Sequence, residues 1–280
     1  DLGYELPPFR EEVQLVTHDP EVERAARTLA AETKAVLRAH PKLLGQYLMA
    51  CLGYPDCPEH AESIGEKDWQ GHVVEEVASA PAFDMRVWPK DERVVEIALA
   101  EAAAGRKTLV FFTQTHKRSA VERVQAALVA KGLRVGILGA DVPPEKREAW
   151  LERAERAGFD VMLTNGRLVE TGLDLLFATT IVQYGVEYSV NVLRQSTRRS
   201  WRLGQRYAVR VVYLGYANTM QAAALNLIAR KTRAAQLVDG DELGGLAQSD
   251  EGGTDCFLER AREAAANAPP RLRVVAGGKP

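Results

Sequence analysis

The stretch Gln195-Ser-Thr-Arg-Arg-Ser-Trp-Arg-Leu-Gly-Gln205 combines closely spaced arginines with a glycine near its end. Arg199 and Arg202 are three positions apart, and Gln195 lies four positions before Arg199, so the spacing predicts a helix with these side chains on one face. Gly204 is placed to end that helix. A guanidinium group keeps its charge and presents a planar fork that fits phosphate oxygens. The stretch therefore predicts a helix that reaches a phosphate chain, or alternatively a solvated helix with surface arginines.

Strand patterns and helix patterns alternate on both sides of this stretch. Strands are predicted at 108–113, 134–138, 160–164, 180–184 and 209–214, and helices at 91–105, 119–131, 143–157 and 218–237. A continuous apolar run such as 108–113 is typical of a strand that is buried on both faces. Strands that alternate with helices indicate crossover connections and a mainly parallel sheet. We therefore predict an α/β domain over 91–238, with the sheet between two layers of helices.

The flanking segments have weaker patterns. Residues 1–90 predict a linker strand at 6–16 and a small helical unit, with helices at 20–40 and 43–52 and a loop-rich connection at 53–89. Residues 239–280 predict a turn-rich segment, a last helix at 256–266 and a loose tail. The predicted organisation is thus an N-terminal segment over 1–90, a central domain over 91–238 and a C-terminal segment over 239–280.

The positive charge of the chain is unevenly distributed. Lys and Arg (36) nearly balance Asp and Glu (38), so the overall charge does not identify a partner. Between Tyr188 and Val238, however, there is no acidic residue, whereas arginines and lysines recur throughout. Such a segment predicts a positive surface that attracts phosphates, unless acidic residues from elsewhere fold against it.

Several other classes of protein are disfavoured by the sequence. Three cysteines are too few for a disulfide framework, and Cys51, Cys57 and His60 have irregular spacing without an evident fourth ligand, so we predict no metal site. No apolar run is long enough to span a bilayer and no secretory signal is visible. We expect a cytoplasmic protein, associated with a bacterial nucleoid, and no membrane partner. Because the chain begins at Asp1 rather than Met, we expect it to be a piece of a larger protein.

Polar residues follow three of the predicted strands. Thr113-Gln-Thr-His116 follows the first, Thr164-Asn-Gly-Arg167 follows the third, and Gly185-Val-Glu-Tyr-Ser189 follows the fourth. Each alone also fits a strand cap or a turn. Since the carboxyl ends of parallel strands meet at one edge of a sheet, we expect these residues and the arginine helix to share that edge.

The order of these segments resembles superfamily 2 helicases and translocases. The arginine stretch resembles motif VI, and its end, Arg202-Leu-Gly-Gln205, is similar to the SWI/SNF-type form, although position 198 is Arg rather than acidic. Leu109-Val-Phe-Phe-Thr-Gln114 resembles motif IV. Thr164 with Gly172-Leu-Asp-Leu175 resembles motif V, at a spacing slightly longer than the common one.

The resemblance implies that this chain is the second, C-terminal RecA-like lobe of a motor. It implies that Arg199 and Arg202 act as catalytic arginine fingers on the γ-phosphate of ATP bound by an N-terminal RecA-like lobe. It further implies nucleotide contacts by Gln195, Gly172, Asp174 and Gln205, and nucleic-acid contacts by Thr113, Gln114, Arg147, Thr164 and Asn165.

Hydrolysis of ATP needs a glycine-rich phosphate loop with Lys and an acidic box for Mg²⁺, and the sequence contains neither. ATP and Mg²⁺ are therefore expected on the first lobe, outside this chain, and the chain alone is expected to be inactive. The expected function is the C-terminal motor lobe of a DNA-dependent ATPase that contacts the DNA backbone, with RNA as a further possibility. One alternative is a non-enzymatic module of the same fold that binds nucleic acid or protein. Another is a Rossmann-like transferase, but Thr113–His116 lacks the glycine-rich turn of that class.

Overall fold

The computed structural model describes residues 6–70, 72–114, 119–169, 172–186 and 190–228. Some predictions lie outside these ranges: the polar residues Thr115, His116 and Tyr188, the second half of the helix at 218–237, and everything predicted for 239–280. In chain order, the elements are β1 (Phe9–Val16), α1 (Pro20–Val36), α2 (Leu44–Gly53), β2 (Glu62–Lys67), β3 (Val73–Ala80), α3 (Pro89–Ala103), β4 (Lys107–Phe112), α4 (Val121–Ala130), β5 (Val135–Leu138), α5 (Arg147–Ala157), β6 (Val161–Asn165), β7 (Ala178–Gln183), α6 (Val190–Arg198) and β8 (Val209–Tyr216). Residues 220–228 are also helical.

Six strands form one parallel sheet in the order β1-β8-β7-β4-β6-β5. The sheet is buried on both faces because side chains along each strand alternate between two apolar clusters. In β4, Leu109 and Phe111 enter the cluster that includes α5 and α6, whereas Val110 and Phe112 enter the cluster that includes α3 and α4. The predicted three-layer α/β fold with a parallel sheet is confirmed.

The N-terminal segment contributes the outermost strand of this sheet. The strand predicted at 6–16 is present as β1, which pairs in parallel with β8 from Phe9–Val209 to Val16–Tyr216. Residues 6–8 therefore lead into the amino end of a strand that belongs to the same sheet as β4.

The loop-rich connection predicted at 53–89 is wrong over 62–80, where β2 and β3 form an antiparallel hairpin. Register shifts after Ile64 and Glu66 interrupt the alternation by which a strand is identified in a sequence. Gly65 is required by a close approach, since a Cβ there would lie 2.0 Å from the backbone oxygen of Glu75. Ile64 and Ala78 pack with α1 in a separate apolar cluster.

A buried ionic network joins the N-terminal segment to the sheet. The Arg123 Nε donates to Asp91 Oδ2 at 2.6 Å, its Nη1 donates to Glu59, and its Nη2 donates to the backbone oxygen of Asp56 at 2.8 Å. The Tyr184 hydroxyl donates to the second Asp91 oxygen at 2.7 Å. Because every charge in this group has an oppositely charged or hydrogen-bonding partner, burial of the group is tolerated.

Lys90 forms the second half of this network. Its side chain is fully buried, and its Nζ donates to Asp56 Oδ1 at 2.6 Å and to Gln221 Oε1 at 3.3 Å. The ammonium also lies 4.5 Å from the ring centroid of Tyr184. Gln221 donates in turn to the backbone oxygen of Leu52 at 2.7 Å. Residues 52–59, α3 and the helix at 220–228 are therefore held together by charged groups as well as by apolar contacts.

The buried ring of His18 is expected to make the stability of this region depend on pH. Its ring is 3% exposed, stacks on Tyr216 at 4.0 Å, accepts from the Asp19 amide at Nδ1 and donates to the Pro55 oxygen at Nε2. Burial lowers the pKa of His18 to about 4, although the Pro55 carbonyl opposes the shift. A histidine in the unfolded chain is protonated near pH 6.5, whereas His18 in the folded chain is protonated only near pH 4. We therefore expect His18 to reduce the free energy of unfolding by about 3 kcal/mol between pH 7 and pH 4.

Urea denaturation at pH 7, 5.5 and 4 measures this effect against the variant His18→Gln, whose amide can still donate to the Pro55 oxygen but does not titrate. The difference in unfolding free energy between the two proteins should shift in favour of the variant as the pH falls. A difference that stays constant across this range would contradict the prediction.

Candidate nucleotide and nucleic-acid interface

The arginine stretch is helical only in part. Helix α6 ends at Arg198, so Arg199 and Arg202 lie in the turns that follow it. The Arg199 carbonyl accepts from the Leu175 amide at 3.1 Å, and the Ser200 carbonyl accepts from Gln205 Nε2 at 2.9 Å. These contacts occupy carbonyls that another helical turn would need. The prediction that Arg199 and Arg202 share one helical face with Gln195 is therefore wrong.

Arg202 is paired with Asp174. Its Nη1 donates to Asp174 Oδ1, and the two side chains are 45% and 59% exposed. An exposed ion pair is stabilised only weakly in water, so a phosphate group can compete with Asp174 for the guanidinium. Arg199 is half-buried, while Arg198 is exposed. The structure thus brings two of the predicted nucleotide-site residues, Arg202 and Asp174, into direct contact.

Gln205 stabilises the turn instead of facing a ligand. Its Nε2 donates to the backbone oxygens of Leu176 and Ser200, both at 2.9 Å, and its Oε1 accepts from the amides of Arg206 and Tyr207. The side chain is 8% exposed and has no hydrogen-bonding capacity to spare, so the predicted nucleotide contact by Gln205 is not supported by this geometry.

Two other predicted nucleotide contacts remain accessible. Gly172 is exposed and adopts a left-handed backbone conformation, with φ of 81°. Gln195 is exposed on α6.

The predicted nucleic-acid residues Thr113, Gln114 and Asn165 cluster at the carboxyl-terminal edge of β4 and β6. Asn165 Nδ2 donates to the Thr113 oxygen at 3.3 Å, and Asn165 Oδ1 accepts from the Arg167 amide at 3.0 Å. Gln114 packs over Gly53. A Cβ atom added to Gly53 would lie 2.5 Å from Nε2 of Gln114. All three are half-buried, so part of each residue is in contact with solvent.

Thr164 and Arg147 have internal partners, and the structure does not support the phosphate contacts predicted for them. The Thr164 hydroxyl is 2% exposed and donates to the Leu138 oxygen at 2.9 Å. Arg147 is 9% exposed and donates to the Val142 oxygen at 3.2 Å and to the Leu168 oxygen at 2.8 Å. Thr164 instead ties β6 to the end of β5, and Arg147 ties together the segments that follow β5 and β6.

The arginines lie at the opposite edge of the sheet from Thr113 and Asn165. Leu175, which donates to the Arg199 carbonyl, accepts from the amide of Ala178, the first residue of β7. The residues that follow β4, β6 and β7 do share one edge, because these strands are parallel, but the prediction that the arginines lie at that same edge is wrong. Because the strands are parallel, α6 must run back along the sheet from the carboxyl end of β7, and residues after it reach the amino-terminal edge.

Trp201 was not identified as a functional residue from the sequence. Its Nε1 donates to the Pro7 oxygen at 2.6 Å, and its ring lies 4.9 Å from that of Phe9. The turn that carries Arg202 is thereby attached to the start of β1. A tryptophan inside an arginine-rich stretch was the only signal available, and it does not identify its partner.

The loop between β6 and β7 runs from the carboxyl-terminal edge of the sheet to the amino-terminal edge. Residues 166–177, of which 166–169 and 172–177 are described, leave β6 beside Asn165 and end at the start of β7. Val169, Leu173 and Leu175 are buried in the apolar cluster beneath this loop, whereas Asp174 points its carboxylate to Arg202 at the surface. This loop, named the connecting loop below, is thus anchored by apolar side chains and exposes polar ones between them.

The described ranges contain no group of three or more His, Cys, Asp or Glu residues that could hold a metal ion. Cys51 and Cys57 are buried, and burial raises the pKa of each thiol to about 12, so neither is a thiolate near neutral pH. None of the helices in the described part of the chain is long and apolar enough to cross a bilayer.

Comparison with known proteins identifies the central domain. Residues 89–204 match the family model of the helicase conserved C-terminal domain. Two relatives are an ATP-dependent RNA helicase RhlB of Xanthomonas oryzae pv. oryzae, 27% identical over 210 residues, and one of Xanthomonas campestris pv. campestris, 28% identical over 137 residues. The matches cover 68% and 48% of this chain but only 35% and 23% of the relatives, so the chain spans a minor part of their length.

The fold also matches a solved structure, the C-terminal part of the Fun30 ATPase domain. The TM-score is 0.64 with 10% sequence identity, over 92% of this chain and 99% of that structure. At this identity the likeness establishes the fold. Together with the family match over residues 89–204, it supports a C-terminal RecA-like helicase lobe in this part of the chain.

Proposed function

We propose that this chain is the C-terminal motor lobe of a nucleic-acid-dependent ATPase of the SWI/SNF-like class. In this proposal Arg199 and Arg202 are supplied to the γ-phosphate of ATP that is bound, with Mg²⁺, by an N-terminal RecA-like lobe outside this chain. The chain alone is proposed to be inactive as an ATPase. The observation that carries the proposal is the connecting loop, which extends from Asn165 at one edge of the sheet to the Asp174–Arg202 pair at the other.

The amino-terminal edge has the charge and exposure that a triphosphate needs. Arg202 is nearly half exposed, and its partner Asp174 is more than half exposed, so neither is committed to the interior. When a phosphate approaches, a guanidinium can exchange a carboxylate for phosphate oxygens at little cost because both fit its planar fork. Gly172 and Gln195 are also exposed and remain proposed nucleotide contacts.

The connecting loop gives a physical route between nucleotide and nucleic acid. Its buried leucines anchor it to the apolar layer beneath it, while Asn165 and Asp174 lie at its two ends. A shift of Arg202 towards ATP would release Asp174 and alter the loop that begins beside Asn165. We propose that this displacement changes the grip of Thr113, Gln114 and Asn165 on a nucleic-acid backbone.

Duplex DNA is the proposed substrate, because Arg202-Leu-Gly-Gln205 is similar to the SWI/SNF-type motif. RNA is the second candidate, because the two Xanthomonas relatives are ATP-dependent RNA helicases. Contacts from Thr113, Gln114 and Asn165 to sugar and phosphate would follow the backbone without reading its sequence.

Fluorescence anisotropy with labelled duplex DNA and single-stranded RNA of the same sequence tests this proposal. We expect the chain to bind duplex DNA weakly, with an affinity that falls as salt rises from about 50 to 300 mM. Asn165→Asp, which places a negative charge at the proposed contact with a phosphate backbone, should weaken binding by about tenfold because like charges repel.

The matched control is Asp160→Asn, a polar change just before the amino end of β6, which should leave affinity within about twofold of the wild type. If the chain binds RNA more tightly than duplex DNA, RNA replaces DNA as the proposed substrate. If neither nucleic acid binds at any salt concentration, a module that binds a protein partner becomes the better description.

A further inference from the structure

Helix α1 has one face that is basic and exposed to solvent. Its buried side is formed by Val22, Ala26, Leu29 and Thr33. Arg24, Arg27 and Lys34 are exposed and recur at spacings of three and seven residues, so they project from the opposite side of the helix. Arg38, in the turn after α1, continues the same row. We name this row of four side chains the basic face of α1.

The acidic residues of α1 do not neutralise this face as a whole. Glu21 and Glu32 project more than about 100° away from its centre around the helix, at ~3.6 residues per turn. Glu23 borders the face. Its side chain is 17% exposed and its carboxylate lies 3.9 Å from the Arg27 guanidinium, so it offsets at most one of the four positive charges. Asp19, just before α1, is already paired with Arg86. The local excess of positive charge therefore remains available to an anion.

A groove places Arg24 and Arg27, the first two side chains of the basic face, next to the carboxyl-terminal edge of the sheet. The groove has a volume of about 640 Å³ and is lined by Arg24, Arg27 and Thr28 of α1, by Glu23, and by Thr17. Thr17 directly follows the last residue of β1, at the same edge that carries Thr113 and Asn165. Three strand spacings of ~4.8 Å separate β1 from β4, so the groove begins about 14 Å from Thr113 along this edge.

We propose that the basic face of α1 is a second nucleic-acid contact surface, which binds the phosphate backbone beyond the contacts of Thr113, Gln114 and Asn165. The row from Arg24 to Lys34 extends about 15 Å at ~1.5 Å per residue, a length that covers several phosphates of a duplex strand. The row is regular and exposed, which suits contacts that slide along a uniform backbone. This inference deepens the proposed function and rests on it.

The salt dependence of binding tests the inference quantitatively. The triple variant Arg24→Gln, Arg27→Gln, Lys34→Gln removes three charges with residues that favour helices equally well. If all three bind phosphates, the slope of log affinity against log salt should become shallower by about 2 to 3, and affinity at about 100 mM salt should fall at least tenfold. Circular dichroism of the variant checks that α1 is retained.

A matched triple variant, Lys131→Gln, Arg153→Gln, Arg156→Gln, removes the same charge at exposed positions near the other edge of the sheet and should leave the slope unchanged. Equal slopes for wild type and the α1 variant, while Asn165→Asp still weakens binding, would overturn the inference and leave the proposed function standing. If affinity falls in the α1 variant but not in Asn165→Asp, the inference is supported and the proposed contacts at the ends of β4 and β6 are wrong. Absence of binding by the wild type would overturn both. Displacement of the duplex by poly-glutamate at an equal concentration of charge would show an unspecific anion surface and also overturn the inference.

Discussion

Replacing Arg202 by alanine should lower nucleic-acid-stimulated ATP hydrolysis by about 10³- to 10⁵-fold in the protein that contains both lobes, because an arginine finger contributes a factor of that size. The expected loss is in kcat, since the guanidinium would stabilise charge that develops on the γ-phosphate during transfer. Steady-state turnover with saturating nucleic acid, measured with and without the substitution, gives the effect directly. Arg202→Lys should recover little activity, because an ammonium cannot replace the planar fork.

Arg206→Ala is the matched control for this experiment. Arg206 is exposed in the same segment, four positions further on, and its backbone amide, not its side chain, donates to Gln205. Its loss should change turnover by less than about twofold, within the range expected of an exposed charge. Unchanged turnover in Arg202→Ala, or an equal loss in both variants, would remove the finger role from Arg202.

Replacing Arg123 by methionine should reduce the free energy of unfolding by about 3–5 kcal/mol, because it leaves buried carboxylates without their cation. The side chains of Asp91 and Glu59 are 0% and 6% exposed, and both form an ion pair with Arg123. A loss of this size is a large part of the stability of an ordinary domain. Urea or guanidinium denaturation at pH 7, followed by far-ultraviolet circular dichroism, measures it.

Arg134→Met provides the comparison, because Arg134 also pairs with an aspartate, Asp160, but its side chain is 64% exposed. That substitution should cost less than about 1 kcal/mol. Similar losses in the two variants would show that burial does not set the cost of breaking these ion pairs. A loss below about 1 kcal/mol for Arg123→Met would show that water reaches Asp91 and Glu59 when the arginine is absent.

The sheet could be predicted from the sequence because its signals are local. The run 108–113 has four consecutive apolar residues between two threonines, as a strand buried on both faces requires. The hairpin β2–β3 could not be predicted because its signals are not local. Its register shifts and Gly65 remove the alternation within each strand, and its stability comes from contacts with α1 that lie far away in the sequence.

The candidate site was predicted in composition but not in arrangement. Arg202 and Asp174 were both identified, but the end of α6 was not, because it depends on the capture of two carbonyls by Leu175 and Gln205. Thr164 illustrates the same limit. A threonine at the end of a strand is equally compatible with a phosphate contact and with a bond to a neighbouring strand, and the sequence does not contain the position of the Leu138 oxygen.

The basic face of α1 was not recognised in the sequence because the helix carries as many acidic as basic residues between Glu21 and Lys34. A count of charges is insensitive to the direction in which they point. The asymmetry becomes visible only when the buried side of the helix is known.

The position of β1 has a mechanical consequence. In the proposed two-lobed motor, a pull from the N-terminal lobe would enter through residues 6–8 and act along the axis of β1. The register of eight residues with β8 would then be loaded in shear and not peeled open pair by pair. Shear distributes tension over all of these hydrogen bonds at once, whereas peeling breaks them singly. The Trp201–Pro7 bond fastens the turn containing Arg202 to the point where that tension arrives. Motion of that lobe would therefore reach Arg202 through the short connection from Pro7 to Trp201, while the β1–β8 hydrogen bonds share the load.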